Sequence, residues 1–414
     1  MASNPTPLSS YQIRLLAVLA LINFVNFADR LVIVPLVPLL RQQMSLTDTQ
    51  LGSLQTWLLV VLAAASFPCG LFADRWSRTQ IIGAGVAVWS VATIACGFAN
   101  SFMLLLVARA LIGVGEAAYA PAAQSMISDS FPYQRRAMAQ SIFASGMLLG
   151  GAAGQAFGGI MGEAHGWKYT FIIVGLICMI PLVFVIKLRE PPRRPRSEVV
   201  PIRSLLSVPA YLAMIVAGTC ITFASVSLIT WGTDFAVGYK EFSVREASLS
   251  IALVAILSLV FGVLMGGYLA DRLQRKYPYG RILVIAAAFL FAAPFLLLAI
   301  QSDEKWIFLA ALFIGGFFMS WYHGPVTAVL HDLTPQRAHA TAIGVYMLVT
   351  QLFGAVGPQL VGKISDASDL QLGLQVAVAV MVFGSLLMFL VIYFVRRDGL
   401  HHPRLAAFHV EPCD

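Results

Sequence analysis

Twelve apolar windows follow one another along this 414-residue chain, at roughly 15–40, 51–71, 80–99, 102–124, 138–161, 168–187, 207–231, 247–269, 281–300, 306–329, 341–361 and 372–395. Each holds the ~20 residues that carry a helix across a bilayer. Short polar joints separate them, so no stretch is left for a second, soluble domain. Only 11% of the residues are charged, against roughly 25% in soluble domains. Such a chain lacks the polar surface to coat itself in water, which excludes a soluble enzyme, a disordered protein and a disulfide-stapled secreted domain. The reading is an all-α integral membrane protein with twelve transmembrane helices.

The net charge of +7 is a matter of topology and not of nucleic-acid binding. Nineteen lysines and arginines fall on one side of the windows and six on the other. By the positive-inside rule, both termini and the basic linker are cytoplasmic, in a plasma membrane or a bacterial inner membrane. Expected domains are an N-terminal six-helix bundle (1–188), a linker (189–206), a C-terminal six-helix bundle (207–396) and a tail (397–414). Four of the five cysteines lie inside windows and the fifth, Cys413, in the tail. None has metal-ligand spacing, so no metal and no cofactor are expected.

The halves repeat. Gly70-Leu-Phe-Ala-Asp74-Arg75-Trp-Ser-Arg78 follows the second window, and Gly267-Tyr-Leu-Ala-Asp271-Arg272-Leu-Gln-Arg275 follows the eighth. Asp129-x-x-Pro132 follows the fourth, and Asp332-x-x-Pro335 the tenth. With six spans per half the copies point the same way, as parallel repeats do about an axis along the membrane normal. The G-x-x-x-D-R-x-x-R pattern, found twice, resembles the loop signature of the major facilitator superfamily. The resemblance implies two six-helix bundles around a central cavity. It also implies a cytoplasmic gate in which Gly70, Asp74, Arg75, Arg78 and Asp129, with Gly267, Asp271 and Arg272, latch one side shut. Three further stretches are similar to the Spinster family, whose members move sphingosine-1-phosphate and lysophospholipids: Asn26-Phe-Ala-Asp29-Arg30, the run Arg109 to Pro121 continuing into Ser128-Asp129-Ser-Phe131-Pro132, and Phe318-Met-Ser-Trp321.

Ionisable groups at bilayer depth cost perhaps 2.5–3.5 kcal/mol each and are functional by default. Four are deep here: Asp29, Arg30, Arg109 and Glu116. Arg109 and Glu116 are two helical turns apart on nearly one face, about 10 Å along the axis. An acid beside an arginine can exchange a proton for a substrate as its partner. Asp29, Glu116 and Arg109 are therefore the expected proton-coupling residues, with Arg109 the first partner of both acids. The bland reading is a static ion network that fixes packing between the first and fourth spans. The C-terminal half shows no acid or lysine inside its windows. Its polar inventory includes Thr230, Trp231, Trp321, Tyr322, His323 and Gln351, and these join Asn26, Arg30, Arg109 and Tyr119 as expected substrate contacts. Gly146, Gly150, Gly154 and Gly158 form a ladder that lets another helix approach closely.

The function expected is a proton-coupled secondary active transporter that moves an amphiphilic anionic lipid by alternating access, as a monomer. The alternative is a proton-coupled organic-anion (sugar acid) symporter carrying the same charges. An enzyme is not expected, because the histidines lie mostly in loops and the tail and assemble no nucleophile–base constellation.

Overall fold

Helix starts are written into the chain. Ser9 accepts the N–H of Gln12, and the Gln12 side chain accepts the N–H of Ser9. This reciprocal cap opens α1 (Ser10–Leu31). Ser243 and Glu246 do the same for α9. The computed structural model describes residues 9–191, 201–335 and 338–398, without the side chains at 67, 71, 73–75, 133, 134, 137 and 340.

Every regular element among the described residues is helical. In order they are α1, α2 (Val37–Met44), α3 (Asp48–Arg75), α4 (Arg78–Gly97), α5 (Phe102–Ser130), α6 (Tyr133–Val185), α7 (Ile202–Leu206), α8 (Pro209–Tyr239), α9 (Val244–Gln274), α10 (Gly280–Gln301), α11 (Lys305–Met319), α12 (His323–Asp332), α13 (His339–Gly354), α14 (Gly357–Ala367) and α15 (Leu370–Asp398). Ten stretches among the described residues are long and apolar enough to cross a membrane. One of them, Met138–Val185, contains both the fifth and the sixth expected windows. The second window falls on α3, some of whose side chains lie outside the described residues. Large apolar side chains such as Leu264 and Phe383 are exposed, the surface that lipid covers in place of water.

The joint expected between the fifth and sixth windows falls at Gly166, and the tenth and eleventh windows, expected as single helices, are broken, each with a local cause. Gly166 sits inside α6 at φ 81°, ψ 167°, a conformation open essentially to glycine alone. The two stretches it joins pack on different partners, residues 146–162 on α1 and residues 168–185 on α4. Pro325 offers no N–H to the carbonyl of Trp321, four residues back, and a 3-10 turn at Ser320–Tyr322 divides α11 from α12. Pro358 likewise divides α13 from α14.

The glycine ladder is packed against α1. A Cβ on Gly146 would lie 2.7 Å from the Ala20 carbonyl oxygen, one on Gly150 2.0 Å from that of Phe24, one on Gly154 2.1 Å from that of Ala28 and one on Gly158 2.7 Å from that of Val32. Equal steps on both helices mean that they run side by side in one direction. Gly154→Ala is expected to cost about 1–3 kcal/mol by overpacking. Gly267→Ala, where no atom lies within 4 Å, should be near neutral. Thermal unfolding of the two purified variants checks the contrast.

Two compact units emerge, one of residues 1–40 with 61–195 and one of residues 41–60 with 196–414. The end of α2 and the first half of α3 thus belong with the C-terminal helices. Residues 192–200 of the expected linker and 399–414 of the expected tail lie outside the described residues.

Candidate functional site

Within the first unit, α1, α4 and α5 bring the deep charges together. Asn23, Asn26 and Asp29 line one buried stripe of α1, and Asn23 is held by the Phe143 carbonyl at 2.8 Å. Asp29 is wholly buried, and its Oδ2 accepts the Thr93 hydroxyl at 2.8 Å. Arg30 extends from the next position to Glu116, with Nε 3.0 Å and Nη2 2.5 Å from Oε2. Its guanidinium also lies 4.5 Å from the Phe27 ring. The Glu116 side chain is 1% exposed and that of Arg30 15%, so the arginine is the member of the pair nearer to solvent or substrate.

The partner expected first for Glu116 was Arg109, and the ion pair the structure forms is with Arg30 instead. The two-turn separation of Arg109 from Glu116 explains the difference, since Arg30 approaches from a neighbouring helix. Arg109 is fully buried and close enough to Asp29, Glu116 and Arg30 to interact with each electrostatically. Two acids and two arginines therefore share one buried volume. Oδ1 of Asp29 and Oε1 of Glu116 are buried without a hydrogen-bond partner, an unusual condition for buried polar atoms.

Other expected contacts are spent on packing. Tyr119 is 1% exposed, donates to the Leu19 carbonyl at 2.8 Å and meets Trp89 edge-on at 5.8 Å. Trp231 is wholly buried and donates to the Pro358 carbonyl at 3.0 Å. Thr230 donates back to Val226 at 2.8 Å. Gln351 is half-buried on α13.

The second unit gathers Trp321, Tyr322 and His323 at the 3-10 break. Trp321 is flanked by Phe317 and Phe318, ring centroids 5.7 and 5.1 Å away, and its indole N–H has no partner. The Tyr322 hydroxyl lies 2.6 Å from that of Tyr346, and its ring meets Phe289 at 5.5 Å and His323 at 5.8 Å.

The repeated loop motifs appear as repeated ion pairs. Arg78, 3% exposed, donates to Asp129 at 2.6 Å, Glu190 at 2.7 Å, Ser125 at 2.8 Å and the Pro191 carbonyl at 2.8 Å. In the second copy Asp332 pairs with Arg281 at 2.7 Å, and Asp271 with the same arginine at 3.1 Å. Motif alignment put Arg275 opposite Arg78, but the matching partner is Arg281, which stands 51 residues before Asp332 as Arg78 does before Asp129. Arg272, an expected gate residue, is exposed and reaches the Tyr268 hydroxyl at 3.3 Å. The side chains of Asp74 and Arg75 lie outside the described residues, and a Cβ on Gly70 or Gly267 would meet nothing within 4 Å.

Glu190 was not singled out from the sequence. Burial pushes its carboxyl up, but the hydrogen bonds from Arg78 and the Thr79 N–H outweigh this and hold it below the usual glutamate range. A depressed folded pKa stabilises above the unfolded value, about 4.3, and the contribution disappears as pH falls through the folded value. Glu190→Gln should therefore melt below the wild type at neutral pH, with the gap closing below about pH 4.3. Melting curves of both proteins against pH check it.

A fourth cluster, also unforeseen, lies in the second unit. Arg41 donates to Asp48 at 2.6 Å and, with both terminal nitrogens, to Asp234 at 2.6 and 2.7 Å. Asp366 accepts the N–H groups of Asp48 and Thr49 at 2.8 Å each, capping α3 from another helix. Asp234 is 2% exposed, so the half expected to lack a buried acid has one, just past the window that ended at 231. Among the described residues, no group of three metal-ligating side chains converges.

A family profile described as Major Facilitator Superfamily matches residues 19–358, and again 239–409. An "MFS-type efflux pump" of Mycolicibacterium smegmatis is 27% identical over 406 residues, 94% of each chain. "Protein spinster homolog 1" of Homo sapiens is 28% identical over 383 residues, 85% of this chain and 72% of that one. Among solved structures, a bacterial homolog of the human lysosomal transporter Spinster, inward-facing and unoccupied, superposes with a TM-score of 0.85 at 24% identity, covering 98% of this chain and 100% of that one. A nucleoside transporter superposes with a TM-score of 0.76 at 12% identity, covering 93% of this chain and 100% of that one.

Proposed function

The chain belongs to the Major Facilitator Superfamily, and on that premise we propose that it is a proton-coupled secondary active transporter of an amphiphilic anion, working by alternating access. The observation that carries this reading is the buried quartet of Asp29, Arg30, Arg109 and Glu116, in which each acid keeps one oxygen unpartnered. With Glu116 ionised, its carboxylate occupies Arg30. When a proton neutralises Glu116, the guanidinium is released, and its planar donors suit a phosphate or carboxylate head. Proton and anion then load together. Asp29 is the second proton site, oriented by Thr93, and Arg109 supplies the fixed positive charge that both acids feel.

In the second unit, the aromatic cluster around Trp321, Tyr322 and His323, whose unpartnered indole N–H offers one polar contact, is the substrate contact in this reading. The similarity to spinster proteins favours a lysophospholipid or a sphingosine-1-phosphate-like molecule over a sugar acid. Arg78 with Asp129, and Arg281 with Asp332, hold the loops of the gate on the side that carries the positive excess, which we assign to the cytoplasm. Asp74, Arg75, Gly70, Gly267, Asp271 and Arg272 complete that gate in the same reading, and the protein works as a multi-pass monomer.

Proteoliposomes with an imposed pH gradient test the substrate. Saturable, gradient-dependent movement of lysophospholipid is expected, with Trp321→Ala raising the half-saturating concentration about tenfold, the loss of roughly 1.4 kcal/mol. Gradient-driven movement of a sugar acid with no lysophospholipid transport, unaffected by Trp321→Ala, assigns the protein to the organic-anion symporters instead.

A further inference from the structure

The turn between α9 and α10 is held stiffly. Gln274 ties both its ends, donating to the Pro278 carbonyl at 3.0 Å and accepting the Arg281 N–H at 3.1 Å. Gly280 passes so close to Leu273 that a Cβ there would lie 2.3 Å from its carbonyl carbon. On this turn Tyr277 and Tyr279 stack, with centroids 5.7 Å apart and 24° between their planes. A cation lies beside each ring. Lys276 Nζ lies 5.4 Å from the Tyr277 ring, and the Arg396 guanidinium, from the last turn of α15, lies 4.5 Å from the Tyr279 ring. Arg396 also donates to the Tyr279 hydroxyl.

Lys276, Tyr277 and Arg396 are exposed. Neighbouring carboxylates are engaged elsewhere, Asp271 and Asp332 by Arg281 and Asp398 by Arg397. Among the described residues no carboxylate pairs with Lys276 or Arg396. A ring face attracts a cation but leaves its charge intact, so each of the two phenols keeps a positive charge beside it. The helices α9, α10 and α15 are all long and apolar enough to span the membrane. Their ends therefore place this ladder where chain leaves the hydrocarbon, the depth at which tyrosine rings and lipid headgroups meet.

We propose that the α9–α10 turn and the end of α15 form a seat for the headgroup of an anionic phospholipid of the surrounding bilayer. Lys276 and Arg396 supply the positive charge that attracts the phosphate, and the two tyrosines hold the cations in place. A zwitterionic headgroup brings its own cation against the pair and binds less well. The seat is separate from the transported molecule, and its occupancy does not depend on proton coupling.

The test uses the full chain, delipidated in detergent and titrated with short-chain phosphatidylglycerol or phosphatidylcholine, with bound lipid counted by native mass spectrometry. Each lysine or arginine at a membrane surface contributes roughly fivefold to binding an anionic lipid. Phosphatidylglycerol is therefore expected to outbind phosphatidylcholine by about 25-fold. Lys276→Gln with Arg396→Gln should erase that preference, and Lys276→Gln alone should lower it about fivefold. If the double variant does not fold, the single one decides. Lys363→Gln, an exposed cation remote in sequence from the turn, should leave the preference intact. Equal binding of the two lipids by the wild type overturns the proposal, as does an unchanged preference in the lysine variant. A loss of the same size in Lys363→Gln also overturns it, by showing unspecific charge. Displacement of phosphatidylglycerol by millimolar inorganic phosphate overturns it in favour of a free-phosphate site.

Discussion

Glu116→Gln is expected to abolish acceleration of transport by a pH gradient while leaving a folded protein. Glutamine keeps the shape of the side chain and one carbonyl oxygen for Arg30, but it neither carries the charge nor takes up a proton in this range. Breaking a fully buried ion pair from one side costs about 3–5 kcal/mol. The cost here should be nearer 1–3 kcal/mol, because Arg30 is 15% exposed, rests on Phe27 and keeps a neutral acceptor. The transport effect is the larger one. Without a titrating partner, Arg30 remains available to the anion whatever the pH, so exchange of substrate across the membrane continues and the gradient drives nothing. Glu116→Asp should recover part of the pH response with a weaker ion pair. Asp29→Asn should show the same uncoupling, since its amide oxygen still accepts from Thr93. Flux with and without an imposed gradient, together with counterflow, separates these outcomes. A Glu116→Gln protein that still responds to the gradient sinks the assignment of Glu116 as a proton carrier.

The second large effect is expected at Arg41. It grips Asp234, a carboxylate 2% exposed, with both terminal nitrogens, and it also holds Asp48 in the first turn of α3. Arg41→Ala leaves Asp234 buried and unpaired, a change that costs about 3–5 kcal/mol in comparable sites. Because a membrane protein is only marginally stable, most of the folded yield should be lost. Removing the acid as well relieves the cost, so Arg41→Ala combined with Asp234→Leu should be more stable than Arg41→Ala alone. Melting temperatures of the two singles and the double form the cycle. If the double variant is no more stable than Arg41→Ala, the burial of an unpaired Asp234 is not what the arginine prevents.

Much of the architecture could be read from hydropathy and repetition, because both are local. Apolar runs, the two D-R-x-x-R loops and the two D-x-x-P turns sit in the chain in the order in which the fold uses them. Clusters assembled from distant segments leave no such trace. Arg41, Asp48, Asp234 and Asp366 have no common spacing, and from the sequence Arg41 counts only as a charge on the less basic side. Arg281 escaped because an inserted Lys276-Tyr277-Pro278-Tyr279-Gly280 moves the useful arginine past the motif; the equal 51-residue interval to Asp129 and Asp332 was the signal to follow. Depth in the membrane singled out the four charged residues Asp29, Arg30, Arg109 and Glu116 one by one, but not how they meet. The Glu116–Arg30 pair depended on which helix leans on α5, and the two-turn spacing along α5 says nothing about an arginine arriving from α1. Tyr119 and Trp231 show the opposite error. A buried aromatic with a polar tip looks alike in sequence whether that tip meets a ligand or, as here, a backbone carbonyl.

The backbone-on-backbone contact of α1 with α6 has a mechanical consequence. Side chains between two helices act as a compliant layer that lets one slip past the other. Between Ala20 and Val32 that layer is missing on the α6 side, and each glycine hollow is occupied by the carbonyl of the facing turn. Sliding by even part of a turn would drive those carbonyls into Cα atoms, so the two helices are meshed like a rack. Whatever displacement Asp29 and Arg30 undergo during a transport cycle, the first half of α6 undergoes too. Spin labels at Leu21 and Leu149, both exposed, should keep one separation in every state that substrate or pH can populate. The charged segment travels on a double beam, and a force applied anywhere along α6 before Gly166 is felt at Asp29 and Arg30 without lost motion.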